Sequence, residues 1–169
     1  MTQPGALYLD TNVIVARYKP ADPLYQDVNE LFSGGFGFFI SPITLFELYS
    51  VISRIRPNLV LPQEARHASI ATIVRFMIED CGLKPAFKTL LASSYLLGER
   101  VRLPLEYWLT MMLAEKLRLR VLDLLHIAYA AMLRDKVKVF VTGDDEILEQ
   151  ADAIEKAVEL KVKHPKELL

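Results

Sequence analysis

Four acidic residues stand where a charge needs a reason. In "ALYLDTNVIV", Asp10 follows the apolar run Ala6 to Leu9, a short buried strand by composition, at the point where Thr11-Asn12 opens a helix. Asp144 follows the apolar run "VKVFVT", and Asp123 opens the helix "DLLHIAYAAMLRDK" after the very short strand "RVL". In an open parallel sheet the carboxyl ends of the strands share one edge, where ligands bind, so these acids can meet although far apart in sequence. Glu47 differs, lying inside "PITLFELYSVI" between Phe46 and Leu48 on an otherwise apolar helix. A carboxylate there is costly to desolvate unless a cation or a donor meets it. Four such acids at one sheet edge repel one another without a cation, and hard oxygen donors of this kind suit Mg²⁺ or Mn²⁺. Plainer roles stay open beside this one. Asp10 could be a surface or capping residue, although Thr11 and Asn12 can themselves cap the helix. Asp123 suits a helix N-terminus, and either Asp144 or Asp145 can serve as the turn residue and N-cap after Gly143.

These positions imply an alternation of strand and helix, the pattern of a parallel sheet with crossover helices. After the first strand come a short helix, "TNVIVARYK", and a second, "DPLYQDVNELF", with Asp22 as N-cap and Pro23 at its first position. "FGFFIS" is the next strand, and Ser41-Pro42 opens the helix carrying Glu47. Residues 57–61 form a proline-marked break. Residues 62–117 read as mainly helical, with runs introduced by Pro62, Pro85 and Pro104, the first two closed by Gly82 and Gly98. The alternation then resumes through "VKVFVT", the helix "EILEQADAIEKA" and an edge strand "VELKVK" ended by Pro165. The expected fold is α/β, one domain over residues 1–169, with four or five parallel strands and an enlarged helical middle segment.

The 169 residues suffice for one stable core. With 52% hydrophobic and 24% charged residues, the composition is that of a globular protein rather than a disordered one. A net charge of −1 leaves no global basic field, so nucleic-acid affinity has to come from local groups. The single cysteine, Cys81, excludes an internal disulfide framework and a cysteine-only metal site. "MTQPGALYLD" lacks the basic and apolar regions of a signal peptide, and the most apolar stretch is too short to span a bilayer. A cytoplasmic protein without membrane attachment is expected.

Together "LYLDTNVIV", "SPITLFELYSVI", "LDLLHIAYAAML" and "VFVTGDDEIL" resemble the PIN domain, a metal-dependent nuclease fold, and "LKVKHPKELL" resembles the ending of its VapC-type members, the toxins of toxin–antitoxin pairs. The resemblance covers residues 6–60 and 118–169. It implies a three-layer α/β fold, an endoribonuclease using Mg²⁺ or Mn²⁺, an RNA substrate and an antitoxin partner. It matches Asp10, Glu47, Asp123 and Asp144 to the family's acidic quartet, Asn12 to its first-motif asparagine and Thr142 to the threonine two before the last acid. Asp10, Asp123 and Asp144 are then the expected metal ligands, with Asn12, Thr142 and Asp145 supporting.

Other residues point less sharply. His126 follows Asp123 by one turn, but no second histidine stands at ligand spacing, so it reads as a helix-face residue. Arg100, Arg102, Lys116, Arg118 and Arg120 make a modest basic stretch offset by Glu99, Glu106 and Glu115. Tyr107 and Trp108 read as packing residues before base-stacking ones. The apolar side chains near residues 42–56 and 62–117, Phe46, Tyr49, Phe76 and Trp108 among them, suggest a homodimer. Two alternatives to a nuclease remain. "YLDTN" and "TGDD" also resemble parts of a HAD-like phosphatase, though Asn12 occupies the place of that chemistry's general acid. A catalytically idle binding module on the same fold is the other.

Overall fold

The computed structural model describes residues 5–169, so the first part of the segment judged for a leader lies outside the described residues. The chain begins with β1 (Ala6–Leu9), α1 (Thr11–Ala16), α2 (Tyr25–Ser33), β2 (Gly37–Ile40) and α3 (Pro42–Ile55). A middle segment follows: α4 (Gln63–Arg66), α5 (Ile70–Asp80), β3 (Leu83–Pro85), β4 (Leu91–Leu96), β5 (Glu99–Pro104) and α6 (Leu105–Ala114). The chain ends with α7 (Val121–Met132), β6 (Val139–Val141), α8 (Asp145–Leu148), α9 (Ala151–Val158) and β7 (Lys161–Lys163).

Five strands form one parallel sheet in the order β3-β2-β1-β6-β7, with Leu7 opposite Phe38 on one side and Val139 on the other. The central strands are almost wholly apolar, as strands covered on both faces must be. Alternation along β1 divides the core. Leu7 and Leu9 pack with Val13, Ile14, Leu48, Ile52 and Met77 from α1, α3 and α5, while Tyr8 packs with Phe140, Ile127, Ile147 and Ile154 on the opposite face. The result is the expected three-layer fold, with both central strands' carboxyl ends at one edge. No helix among the described residues is long and apolar enough to cross a membrane.

Several local expectations fail for identifiable reasons. Residues 62–117 are not mainly helical. Pro85 ends a strand that joins the main sheet, and Gly98 turns the antiparallel hairpin β4–β5 instead of closing a helix. Gly98 has φ +86° and Leu97 before it φ +53°, the left-handed pair that a tight hairpin turn requires. "RVL" is no strand: Arg120 is the extended residue capping α7, and Val121 is already helical. Asp22 does not cap α2, which starts at Tyr25; its carboxylate instead accepts the Leu24 N–H at 3.2 Å within the preceding turn.

Candidate metal centre

Asp10 leaves β1 in extended conformation and is itself the N-cap of α1, its Oδ1 accepting the Thr11 N–H at 2.6 Å. Thr11 and Asn12 therefore do not take the cap from it. Oδ2 accepts two further bonds, from Thr142 Oγ1 at 2.6 Å and Asn12 Nδ2 at 2.9 Å. Asn12 also reaches β6's end, its Oδ1 accepting the Gly143 N–H at 3.1 Å. Thr142 Oγ1 in turn accepts the Asp144 N–H at 3.0 Å. A Cβ at Gly143 would run into the Leu24 side chain, which would have to move aside. Three residues thus lock the ends of β1 and β6 together around one carboxylate, which is only 8% exposed.

Glu47 reaches the same place from α3. Ser41 and Thr44 form a capping box at that helix's start, with Pro42 in its first turn, so the expected opening is present. Glu47 Oε2 accepts the Thr11 hydroxyl at 2.6 Å and His126 Nε2 at 2.6 Å. His126 Nδ1 lies 3.1 Å from Tyr8 Oη, whose own proton goes to Ser41 Oγ at 2.7 Å. The two ring nitrogens of His126 are thus both engaged, Nδ1 with the tyrosine oxygen and Nε2 with the Glu47 carboxylate. Burial works against its charged form. The Glu47 hydrogen bond and the charges of Asp10, Glu47 and Asp123 outweigh that and raise its pKa. For Glu47, burial alone would raise the pKa, but His126 and the Thr11 hydroxyl bring the net value below the usual one.

Asp123, in the first turn of α7, and Asp144, before α8, line one cleft with Asp10, Thr11, Asn12 and Glu47, a space of about 340 Å³. Burial chiefly raises the Asp10 pKa, with the Glu47 charge adding to it against His126 and the Thr142 and Thr11 donors. Asp123 is raised by burial and then by the charges of Asp10 and Asp144. All four expected acids therefore converge. Asp145 does not join them: it is exposed and absent from the cleft, and the cap of α8 is Asp144, whose Oδ1 accepts the Glu146 N–H at 2.8 Å.

A family model for the PIN domain matches residues 7–154. The chain belongs to the PIN domain family. Members of this family are generally nucleases. Among solved structures, this PIN domain is similar to a chain of VapBC2 from Rickettsia felis bound to a DNA fragment from its promoter. Identity is 15%, the TM-score is 0.55, and the match covers 94% of this chain and 98% of that one. At that identity the likeness bears on fold. Among curated proteins nothing matches.

The donor set of this PIN domain fits a hard divalent cation. A carboxylate offers about four lone-pair sites; Asp10 spends three on Thr11, Asn12 and Thr142, leaving one on Oδ1. Glu47 Oε1 has no hydrogen bond from the described residues, and the mutual repulsion felt at Asp123 is what a cation relieves. Ligand atoms of Asp10, Glu47 and His126 lie within 4.8 Å of one another. Both ring nitrogens of His126 are nevertheless engaged, by Glu47 and Tyr8, so the oxygens are the available ligands. His126 is the residue the sequence undersells. Its buried role rests on Tyr8, Ser41 and Glu47, which only the fold assembles; its place one turn after Asp123 was the sole local signal.

Proposed function

We propose that this PIN domain is a Mg²⁺- or Mn²⁺-dependent endoribonuclease of the VapC type, cutting RNA phosphodiesters and held in check by an antitoxin. The observation that carries the reading is the convergence of Asp10, Glu47, Asp123 and Asp144 on one open cleft, with Asp10 left one coordination site. Asp10, Asp123 and Asp144 would hold the cation. When bound, it supplies charge neutralisation at a phosphoryl oxygen and lowers the pKa of the attacking water. Glu47, held by Thr11 and His126, directs its free Oε1 as acceptor for that water's proton. Asn12 and Thr142 keep the Asp10 carboxylate in one orientation, as supporting donors do at metal sites. Attack at phosphorus breaks the P–O3′ bond, leaving a 5′-phosphate and a 3′-oxygen that takes a proton from solvent to become the 3′-hydroxyl.

The RNA reading draws on the family resemblance alone, and the antitoxin reading on that resemblance and on the likeness to the VapBC2 structure. A homodimer is supported by the apolar side chains that α3 and α6 expose, Phe46 at 72% and Tyr107 at 51% among them. Sedimentation showing a monomer at high micromolar concentration would remove it. The phosphatase alternative lacks its general acid, since Asn12 stands there and is tied to Asp10, Thr142 and Gly143. The test of the function is site-resolved cleavage of total cellular RNA by the wild type and by Asp144→Asn. Discrete cuts made by the wild type alone are expected; an RNA profile unchanged by the wild type would favour the idle module.

A further inference from the structure

Two ridges flank the carboxylate cleft. Thr11, Val15 and Lys19 recur every four residues along α1 and the turn beyond it, and Glu47, Val51 and Ile55 do the same along α3. Side chains at that spacing share a helix face, and eight residues at the helical rise make a groove about 12 Å long. One end carries the acids. The middle is apolar, formed by Val15 and Val51, and the far end carries Ile55, Lys19 and Asp22.

Lys19 is the one cation among the residues lining this cleft. Its position is built. The Lys19 carbonyl accepts the Asp22 N–H at 2.8 Å across a turn containing Pro20, and Val60 N–H ties the preceding carbonyl of Tyr18 at 2.8 Å. Lys19 Nζ meets Asp22 Oδ2 at 3.1 Å, with the lysine side chain 40% exposed. A partly exposed pair of this kind contributes little stability. An ammonium has three donors, and the pair uses one, so two remain to face the groove.

An RNA strand approaching a cluster of carboxylates is repelled along its whole backbone, whereas a cation held by those acids neutralises only the phosphate being cut. We propose that Lys19 binds a phosphate flanking the scissile one in the substrate strand, with the intervening sugar or base lying on Val15 and Val51. The order of acidic end, apolar middle and cationic end suits a single strand laid along the groove with a phosphate at each charged end. This assignment rests on the endoribonuclease reading.

The test is steady-state cleavage of a single-stranded RNA oligonucleotide in saturating Mn²⁺ over a range of KCl concentrations. Wild type, Lys19→Ala, Lys19→Arg and Asp22→Asn are compared. Lys19→Ala should raise KM about tenfold, the loss of one charge-assisted contact, with kcat within about twofold. The slope of log KM against log salt should fall by about 0.7, the value for one single-strand phosphate. Lys19→Arg should restore most of both. Asp22→Asn, which keeps an acceptor for the Leu24 N–H, should leave KM unchanged or lower it. A KM and slope unmoved by Lys19→Ala, in a wild type that cleaves, would overturn the assignment while leaving the nuclease reading intact. That is also the outcome if the groove serves an acidic peptide of a partner. A wild type that neither cleaves nor binds the oligonucleotide would overturn both.

Discussion

Replacing Asp10 by Asn separates a metal ligand from a helix cap, because Asn caps nearly as well as Asp. The variant keeps an oxygen for the Thr11 N–H but presents an amide to Asn12 Nδ2 and Thr142 Oγ1 where Asp10 offered an acceptor. It also removes a buried charge whose carboxyl is held above its usual pKa. Lost hydrogen bonds and relieved burial of charge oppose each other, so without metal the change in stability should stay within about 1 kcal/mol. With metal at about 100 times Kd, the wild type gains roughly 2.7 kcal/mol. For a domain of this size that raises Tm by about 5–11 °C. If loss of this ligand weakens binding about a hundredfold, the same concentration equals Kd and the gain falls to about 0.4 kcal/mol, or about 1–2 °C. The assay is a pair of thermal melts for each protein, in chelator and in excess Mn²⁺, with Asp145→Asn as a control that should keep the full shift. Equal metal-induced shifts in wild type and Asp10→Asn would refute the reasoning and leave Asp10 a cap alone.

Asp144→Asn should fold normally, since Asn still accepts the Glu146 N–H, yet lose about a hundredfold in kcat/KM; Asp145→Asn should lose only a few tenths to about 1 kcal/mol of stability from the helix N-terminus. Comparable catalytic losses in the two folded variants would contradict the assignment. Stability of the chelated protein should fall as pH rises from about 5 to 8. Folding favours the protonated forms of His126, Asp10 and Asp123, whose pKa values are raised. Their contribution is complete below the ordinary values of 6.5 for the imidazole and 3.8 for the carboxyls and is lost as pH passes the raised ones. Glu47, lowered from 4.5, acts oppositely but only in more acidic solution. Excess Mn²⁺ should reverse the slope, because its ligands bind deprotonated. A chelated Tm that climbs across this range would overturn the charge assignment.

The parts of the molecule legible from sequence are those governed by local pattern. Short apolar runs such as "ALYL" and "VFV", each bounded by polar turn residues, read as strands covered on both faces, and acids placed just after parallel strands share an edge; the structure places Asp10 and Asp144 in one cleft. Glu47 was legible for the opposite reason, as a charge in an apolar helix. What failed depended on tertiary context. Leu83–Pro85 is too short to announce itself and becomes a strand only by pairing with β2. The hairpin β4–β5 turns at Leu97-Gly98, without the Asn-Gly signal that marks such turns, and its leucines read equally well as helix. The choice between Asp144 and Asp145 as cap of α8, open in the sequence, falls to Asp144 because the strand ends early enough for Thr142 and Gly143 to make the turn. His126 stayed hidden because the donors and acceptors that engage it, Tyr8 and Glu47, lie on β1 and α3.

The most direct test of the carboxylate site as a nuclease centre is cleavage of a single-stranded RNA by purified protein, with contaminating nuclease excluded by an Asp144→Asn preparation made in parallel. Cutting should require added Mg²⁺ or Mn²⁺, stop in chelator, return when the metal is restored, and yield fragments with 5′-phosphate ends. Undiminished cutting in chelator, or fragments ending in a cyclic 2′,3′-phosphate, would contradict it.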